Sequence, residues 1–295
     1  MKVLLAVDKS LHSEQAAQTL KRCFAGTEVE ILHVLDLEAN PHPHLSAALI
    51  DWYHKKIRSS LEAEANQFLP KFQALLSTSC RNVCVSVREG RTVDVILETA
   101  ASSGASLIVL GSHGLSTMQS LLLGSVSYQV VHEATCPVLV VKREMTAIRK
   151  ILLAVDRSEG AERAVGFLAE RFLLTPCTIV ALTVCPSHPF VEVLSESARH
   201  EAKTSALKYL REIESRFFSR GFTVEPRVVE GDPAAAILTH SAEKEIDLVV
   251  TGAGGRHGLL KSWLLGSVSH KVIVHSAKSV LVVHGGSKQA GIELR

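Results

Sequence analysis

The chain has 295 residues, a length that favours two domains of ordinary size over one large one. Hydrophobic residues make up 46% and charged residues 21%, a globular composition in which each half can bury its own core. Its 32 basic and 30 acidic side chains leave a net charge of +2, which supplies no electrostatic footprint for nucleic acid or a membrane surface. The opening run from Met1 to Asp8 is too short for a signal peptide, and no apolar stretch approaches the roughly 20 residues that a spanning helix needs. A cytoplasmic protein is expected. Six cysteines, at 23, 80, 84, 136, 177 and 185, are too irregular for a disulfide framework, so they read as small apolar residues.

In chain order, residues 3–7 form a continuous apolar run ending in Asp8, the form of a strand buried on both faces. Residues 13–24 place Ala16, Ala17 and Leu20 on one helical face. A second buried strand at 29–35 leads to a long helical region at 46–76, where Pro70 marks a point of breakage. Alternation at 83–87 predicts a half-exposed strand, followed by a helix at 93–103. A strand at 107–110 ends in Gly111. A glycine-containing loop, a helix at 125–133 and a strand at 138–141 complete the first half. The second half repeats this order with strands at 151–155, 178–184, 223–229, 248–250 and 280–283. Its helices are expected at 161–173, 191–220, 234–243 and 267–275.

The two halves are copies. Residues 2–10 read KVLLAVDKS and residues 150–158 read KILLAVDRS, identical at seven of nine positions. The run LLLGSVSYQVVHEATCPVLVV at 121–141 returns as WLLGSVSHKVIVHSAKSVLVV at 263–283. The expected domains are 1–144 and 149–286, with a C-terminal tail at 287–295. Alternating strands and helices with buried apolar strands predict an α/β fold. Each copy is then an open five-stranded parallel sheet with helices on both faces. Ligands of such sheets bind outside the carboxyl ends of the strands, at the switch in strand order. Asp8, Gly111, Asp156 and Gly252 all fall at such ends.

After its fourth strand the first copy reads Gly111-Ser112-His113-Gly114, then nine residues, then Gly124-Ser125-Val126-Ser127. Glycines let backbone amides approach an anion, and Gly124-Ser125 opens a helix whose free amides and dipole suit a phosphate. The hydroxyls of Ser125 and Ser127 add donors. The alternative is a tight turn in which Ser125 merely caps the helix. Gly252, Gly255, Gly266, Ser267 and Ser269 recur at the matching places of the second copy. This is neither the GxxxxGK[ST] phosphate loop, since no Lys follows the glycine, nor the dinucleotide fingerprint, which follows the first strand.

The GxxG, nine-residue spacer and Gly-Ser, after LLAVDxS and ILHVLD, resemble the universal stress protein family, and the likeness spans each copy almost end to end. The resemblance implies a fold like that of the adenine nucleotide alpha hydrolases. It also implies a stress-response protein that binds ATP or ADP, with or without Mg. Adenine contacts would fall on Ala6, Val7, Asp8 and Val34. Ribose and phosphate contacts would fall on Gly111, His113, Gly114, Gly124, Ser125, Val126 and Ser127. In the second copy the same mapping gives Asp156, Val184, Gly252, Gly255, Gly266, Ser267, Val268 and Ser269. That copy departs from the pattern: ten residues separate Gly255 from Gly266, and Ala253 stands where the first copy has Ser112. Tighter binding by the first copy is expected.

Other residues have bland readings. The run Asn40-Pro41-His42-Pro43-His44, with His54, reads as a polar loop rather than a metal site, for want of an acidic or thiolate ligand. Asp8 and Asp156 are either ligand-binding carboxylates or turn residues at strand ends. No cation is evident near the glycine loop to stabilise phosphoryl transfer, which favours a nucleotide-dependent regulatory binding module over a slow ATPase. A scaffold that binds protein partners without nucleotide is the third reading. The resemblance implies an internal pseudo-dimer of the two copies through the strands at 138–141 and 280–283, each short, apolar and expected at a sheet edge, with a further homodimer as an additional level. No nucleic-acid or membrane partner is expected.

Overall fold

A computed structural model describes residues 1–37, 47–114, 123–172, 175–185, 196–254 and 265–285, with residues 47–54 as backbone only. The 40–44 run, Gly255 and the tail at 287–295 lie outside the described residues. The chain divides into two compact units, Met1–Val130 with Arg143–Thr146, and Val131–Lys142 with Ala147–Arg295.

In the first unit, β1 (Lys2–Ala6) pairs in parallel with β2 (Glu28–Leu35) on one side and β4 (Leu107–Gly111) on the other. Beyond β2 lies β3 (Arg81–Glu89), giving the order β3-β2-β1-β4. Val3, Leu4 and Leu5 are fully buried with Leu107, Ile108 and Val109 beside them, as a strand covered on both faces requires. Burying each such side chain stabilises the fold by about 1.5–3 kcal/mol. The edge strand β3 is longer than its alternation predicted and largely exposed, with Arg81, Arg88 and Glu89 discouraging a further strand.

The helices begin where their caps dictate. Helix α1 (Leu11–Cys23) starts two residues before the predicted point, because the Ser10 hydroxyl accepts a hydrogen bond from the Ser13 amide at 3.2 Å. Helix α2 (Ala47–Ser77) does not break at Pro70. Ala65, Leu69, Phe72 and Leu76 keep a buried 4-3-4 spacing through the proline, which sits on the exposed face. Packing of that stripe outweighs the lost hydrogen bond. Helix α3 (Thr92–Ser103) closes on Gly104 at φ +67°. Helix α4 (Ser125–Glu133) then leads to β5 (Val138–Val141).

In the second unit, β6 (Lys150–Ala154), β7 (Thr178–Cys185), β8 (Thr223–Glu230), β9 (Leu248–Gly252) and β10 (Ser279–Val283) repeat the pattern. Together with β5 they run in the order β5-β10-β9-β6-β7-β8. The predicted pairing of the fifth strands is present: β10 runs antiparallel to β5, with Leu281 opposite Leu139. Edge strand β8 carries Pro226, tolerated because an edge residue need not donate on its open side. Helix α5 (Glu159–Phe167) continues into a π turn at Leu168–Phe172. Helices α6 (Glu196–Phe218), α7 (Pro233–Ser241) and α8 (Ser267–His275) complete the unit. Asp232 caps α7 through the Ala235 amide at 2.8 Å, with Pro233 at its first position.

The ends of β5 and β10 are tied in matching ways. The Lys142 ammonium donates to the Val274 carbonyl of α8 at 3.1 Å, and the ring of His284 lies 2.8 Å, through Nε2, from the Val131 carbonyl of α4. Burial pushes the Lys142 ammonium down to about 8.

Candidate functional site

In the first unit β1 has β2 on one side and β4 on the other, so their carboxyl ends form the switch point of the sheet. Asp8 follows β1. Its Oδ1 accepts from the Ser13 hydroxyl at 2.7 Å and from the Ser10 amide at 3.0 Å, and its own amide donates to Ser13 Oγ at 3.0 Å. One oxygen of this carboxylate therefore makes a local turn and buttresses the start of α1. The other faces the glycine loop: a Cβ added at Gly114 would lie 2.8 Å from Asp8 Oδ2. The Ser10 hydroxyl donates to the His113 carbonyl at 3.3 Å, joining the two strand ends.

Gly111 is needed for close approach. A Cβ there would stand 2.7 Å from the backbone carbon of His12, so only hydrogen lets α1 lie against the end of β4. Ser112 Oγ lies 2.9 Å from His113 Nδ1, and the rings of His12 and His113 are 5.0 Å apart. The Gly124 amide donates to the Ser112 carbonyl at 2.8 Å, closing the loop on itself. The amides of Ser125, Val126 and Ser127 occupy the first turn of α4, where a helix supplies no carbonyl partner. The Ser127 hydroxyl, expected to add a donor for phosphate, instead donates to the Gly111 carbonyl at 2.7 Å, while Ser125 is exposed. Val7 donates its amide to the Leu32 carbonyl at 2.9 Å, and its own carbonyl lies 2.8 Å from His33 Nδ1. Ala6 and Val34 are half-buried at the same edge. A cleft of about 500 Å³ opens to one side, between Leu35 and Val87 at the strand ends and Arg58 and Asn66 on α2.

The second unit repeats the frame with different side chains. The Ser158 amide donates to Asp156 Oδ1 at 3.0 Å, and Ser158 caps α5 through the Ala161 amide at 3.2 Å. The Ser269 hydroxyl donates to the Gly252 carbonyl at 2.8 Å. Thr183, beside the half-buried Val184, donates to the Val155 carbonyl at 3.0 Å, the place that His33 takes in the first copy. Gly266 caps α8 with extended backbone; Ser267 is exposed and Val268 half-buried. Gly160, Ala253 and Gly254 stand where the first copy has His12, Ser112 and His113.

Several residues here were not singled out from the sequence. Ser10 and Ser13 belong to an Asp-x-Ser-x-x-Ser capping pattern that could have been read as such. His12 becomes a neighbour of His113 only through the close approach at Gly111. The expectation that no cation stands near a glycine loop needs correcting for the second copy. Arg163 of α5 reaches the Ala253 carbonyl through Nη2 at 3.3 Å, a contact between residues 90 apart in sequence. Arg256 and Lys261, the other cations of that loop, lie outside the described residues. Among the described residues no three His, Cys, Asp or Glu side chains form a metal-holding group. No helix among the described residues is long and apolar enough to cross a membrane.

A glycine loop at the switch point of an open α/β sheet stands where such sheets place their ligands. The model of the universal stress protein family matches residues 1–142 and again 147–284, and the chain belongs to that family. It is similar to a universal stress protein of Mycobacterium tuberculosis, 27% identical over 299 aligned positions that cover 95% of this chain and 96% of the relative. A universal stress protein of Thermus aquaticus is 35% identical over 144 residues, 48% of this chain and 97% of its own length. Among solved structures, a universal stress protein from Archaeoglobus fulgidus superposes with a TM-score of 0.67 at 23% identity, covering 97% of this chain and 98% of that one. The resemblance read from the motifs and the expected tandem α/β fold are both correct.

Proposed function

We propose that the chain is a stress-response protein whose first copy binds an adenine nucleotide, ATP or ADP, as a regulatory binding module. The observation that supports this reading is the convergence of Asp8, Gly111, His113 and Gly114 at one switch point, in the same loop-and-helix segment as the first-turn amides of α4, to which the helix itself supplies no carbonyl. In this reading the base lies toward Ala6, Val7, Asp8 and Val34. The phosphates lie against His113, Gly114 and the amides of Ser125, Val126 and Ser127. Asp156, Val184, Gly252, Gly255, Gly266, Ser267, Val268 and Ser269 would form the second site. The second copy lacks the Ser112 and His113 side chains and is expected to bind more weakly. Any Mg would enter with the phosphates, held by them and by water.

Gly124 is buried where the loop enters α4. A Gly124→Val protein is expected to bind ATP at least about tenfold more weakly, the worth of one charge-assisted hydrogen bond. Calorimetric titration of the full chain measures this, and undiminished binding would remove the phosphates from this loop. Phosphate release by the wild-type protein is expected to stay below about one turnover per second, at the low end of ordinary enzymes. Sustained faster release would make the protein an ATPase instead.

A further inference from the structure

Four side chains at the first switch point are dispensable for building it. Where the first copy has His12, Ser13, Ser112 and His113, the second has Gly160, Ala161, Ala253 and Gly254. Even so, the second unit keeps the same strand ends, the same serine cap and the same hydroxyl bond to the glycine carbonyl. Two of the four are imidazoles whose ring centroids stand 5.0 Å apart, inclined at 48°. They are held there from three directions. Gly111 lets the His12 backbone settle on β4, Ser112 bonds His113 at Nδ1, and Ser10 bonds the His113 carbonyl.

We propose that His12 and His113 form a proton-linked clamp for the outer phosphate of the nucleotide at the first glycine loop, so that this site tightens as pH falls. The proposal rests on the nucleotide reading above. Burial first, and then the neighbouring His113, hold His12 below its ordinary value near 6.5, while Asp8 pulls the other way. The titratable groups around His12 are therefore His113 from the loop after β4 and Asp8 from the end of β1. Lys9, next in sequence to Asp8, is paired with Glu64 of α2. A phosphate oxygen beside the two rings removes their mutual repulsion and gives each N–H a charge-assisted hydrogen bond.

The bound state thus holds protons that the free protein does not. Values raised by binding add affinity that is fully present at low pH and is lost as pH rises through the bound-state values. For each proton taken up, the affinity changes by at most about tenfold per pH unit. The second copy, with glycine at both places, has no such dependence.

The test is calorimetric titration of the full chain with ATP and with ADP at about pH 6 and about pH 8, each in two buffers of different ionisation enthalpy. Because the terminal phosphate itself titrates near pH 6, the readout is the difference between wild type and the His12→Gln/His113→Gln protein. Wild type is expected to take up protons on binding ATP and to gain about tenfold or more in affinity at the lower pH relative to the glutamine protein. ADP is expected to show a smaller gain. The His12→Gly/His113→Gly protein, which carries the second copy's own residues, should match the glutamine protein. Where the glutamine protein folds poorly, the His12→Gly/His113→Gly protein supplies the difference in proton uptake read from the two buffers. ATP binding without proton uptake overturns the clamp and leaves the nucleotide reading standing. No binding of ATP at either pH overturns both.

Discussion

A Gly252→Ala protein is expected to lose about 3 kcal/mol or more of folding stability, at or beyond the upper end of what one added methyl costs in a packed core. The new Cβ would lie 2.1 Å from both the carbonyl carbon and the oxygen of Gly160, and 2.7 Å from the Ala161 amide nitrogen. All three are backbone atoms in the first turn of α5, so no rotamer change relieves the overlap and the helix itself must back away from β9. Gly111→Ala, facing the His12 backbone at 2.7–2.8 Å, should cost less. Gly166→Ala is the control. It lies in the same helix α5, meets only the tip of Arg216 at 3.8 Å, and should be neutral or stabilising by up to about 1 kcal/mol. Urea midpoints for the three proteins measure the order. A Gly252→Ala midpoint equal to wild type would show that α5 retreats without cost.

Acid should weaken the second unit through His284. This ring is 2% exposed, its Nε2 lies 2.8 Å from the Val131 carbonyl, and its Nδ1 has no hydrogen-bond partner among the described residues. Since a carbonyl only accepts, Nε2 carries the proton and the buried ring is neutral. Burial holds the imidazole down to about 4, against the pull of the Val131, Val282 and Cys136 carbonyls, with Arg163 adding to the depression. The unfolded chain therefore binds a proton between about pH 6.5 and pH 4 that the folded unit refuses. The contribution is fully present above pH 6.5, falls with pH through that window, and amounts to about 3 kcal/mol. A His284→Gln protein keeps an N–H donor for Val131 and carries no titrating ring, so its stability should fall less over the same range. Hydrogen exchange of the β5 and β10 amides in both proteins, from pH 7 to pH 4.5, provides the comparison. Parallel losses in the two would assign the acid sensitivity to other groups.

The strands were legible because runs such as VLLAV and LIVL are short, β-branched and apolar without alternation, the form of a doubly covered strand. The pairing of β5 with β10 was legible for a related reason: each is short, wholly apolar and expected at a sheet edge. Helix starts were read late, because Ser10 and Ser158 act through side-chain bonds to amides three residues on rather than through periodicity. Pro70 misled because a local rule met a buried stripe that continues past it. At the site, the glycines announced the loop, but the side chains that distinguish the copies did not announce their company. His12 meets His113 across 101 residues of sequence, and Arg163 meets Ala253 across 90. Nothing periodic connects such pairs. They follow from how closely a helix can approach a strand that ends in glycine.

The pairing of Leu139 with Leu281 has a consequence for how the protein is made. Although β5 is encoded in the first repeat, it belongs to the compact unit completed by the second. On a ribosome moving at about 5–20 residues per second, β5 emerges on the order of ten to thirty seconds before its antiparallel partner exists. Through that interval Val138–Val141 is an apolar strand without its β10 neighbour, the kind of segment that chaperones bind and that pairs with the wrong chain. A gene cut near residue 149 would make that interval permanent. The first repeat expressed alone is therefore expected to find its missing strand in a second copy of itself or to aggregate.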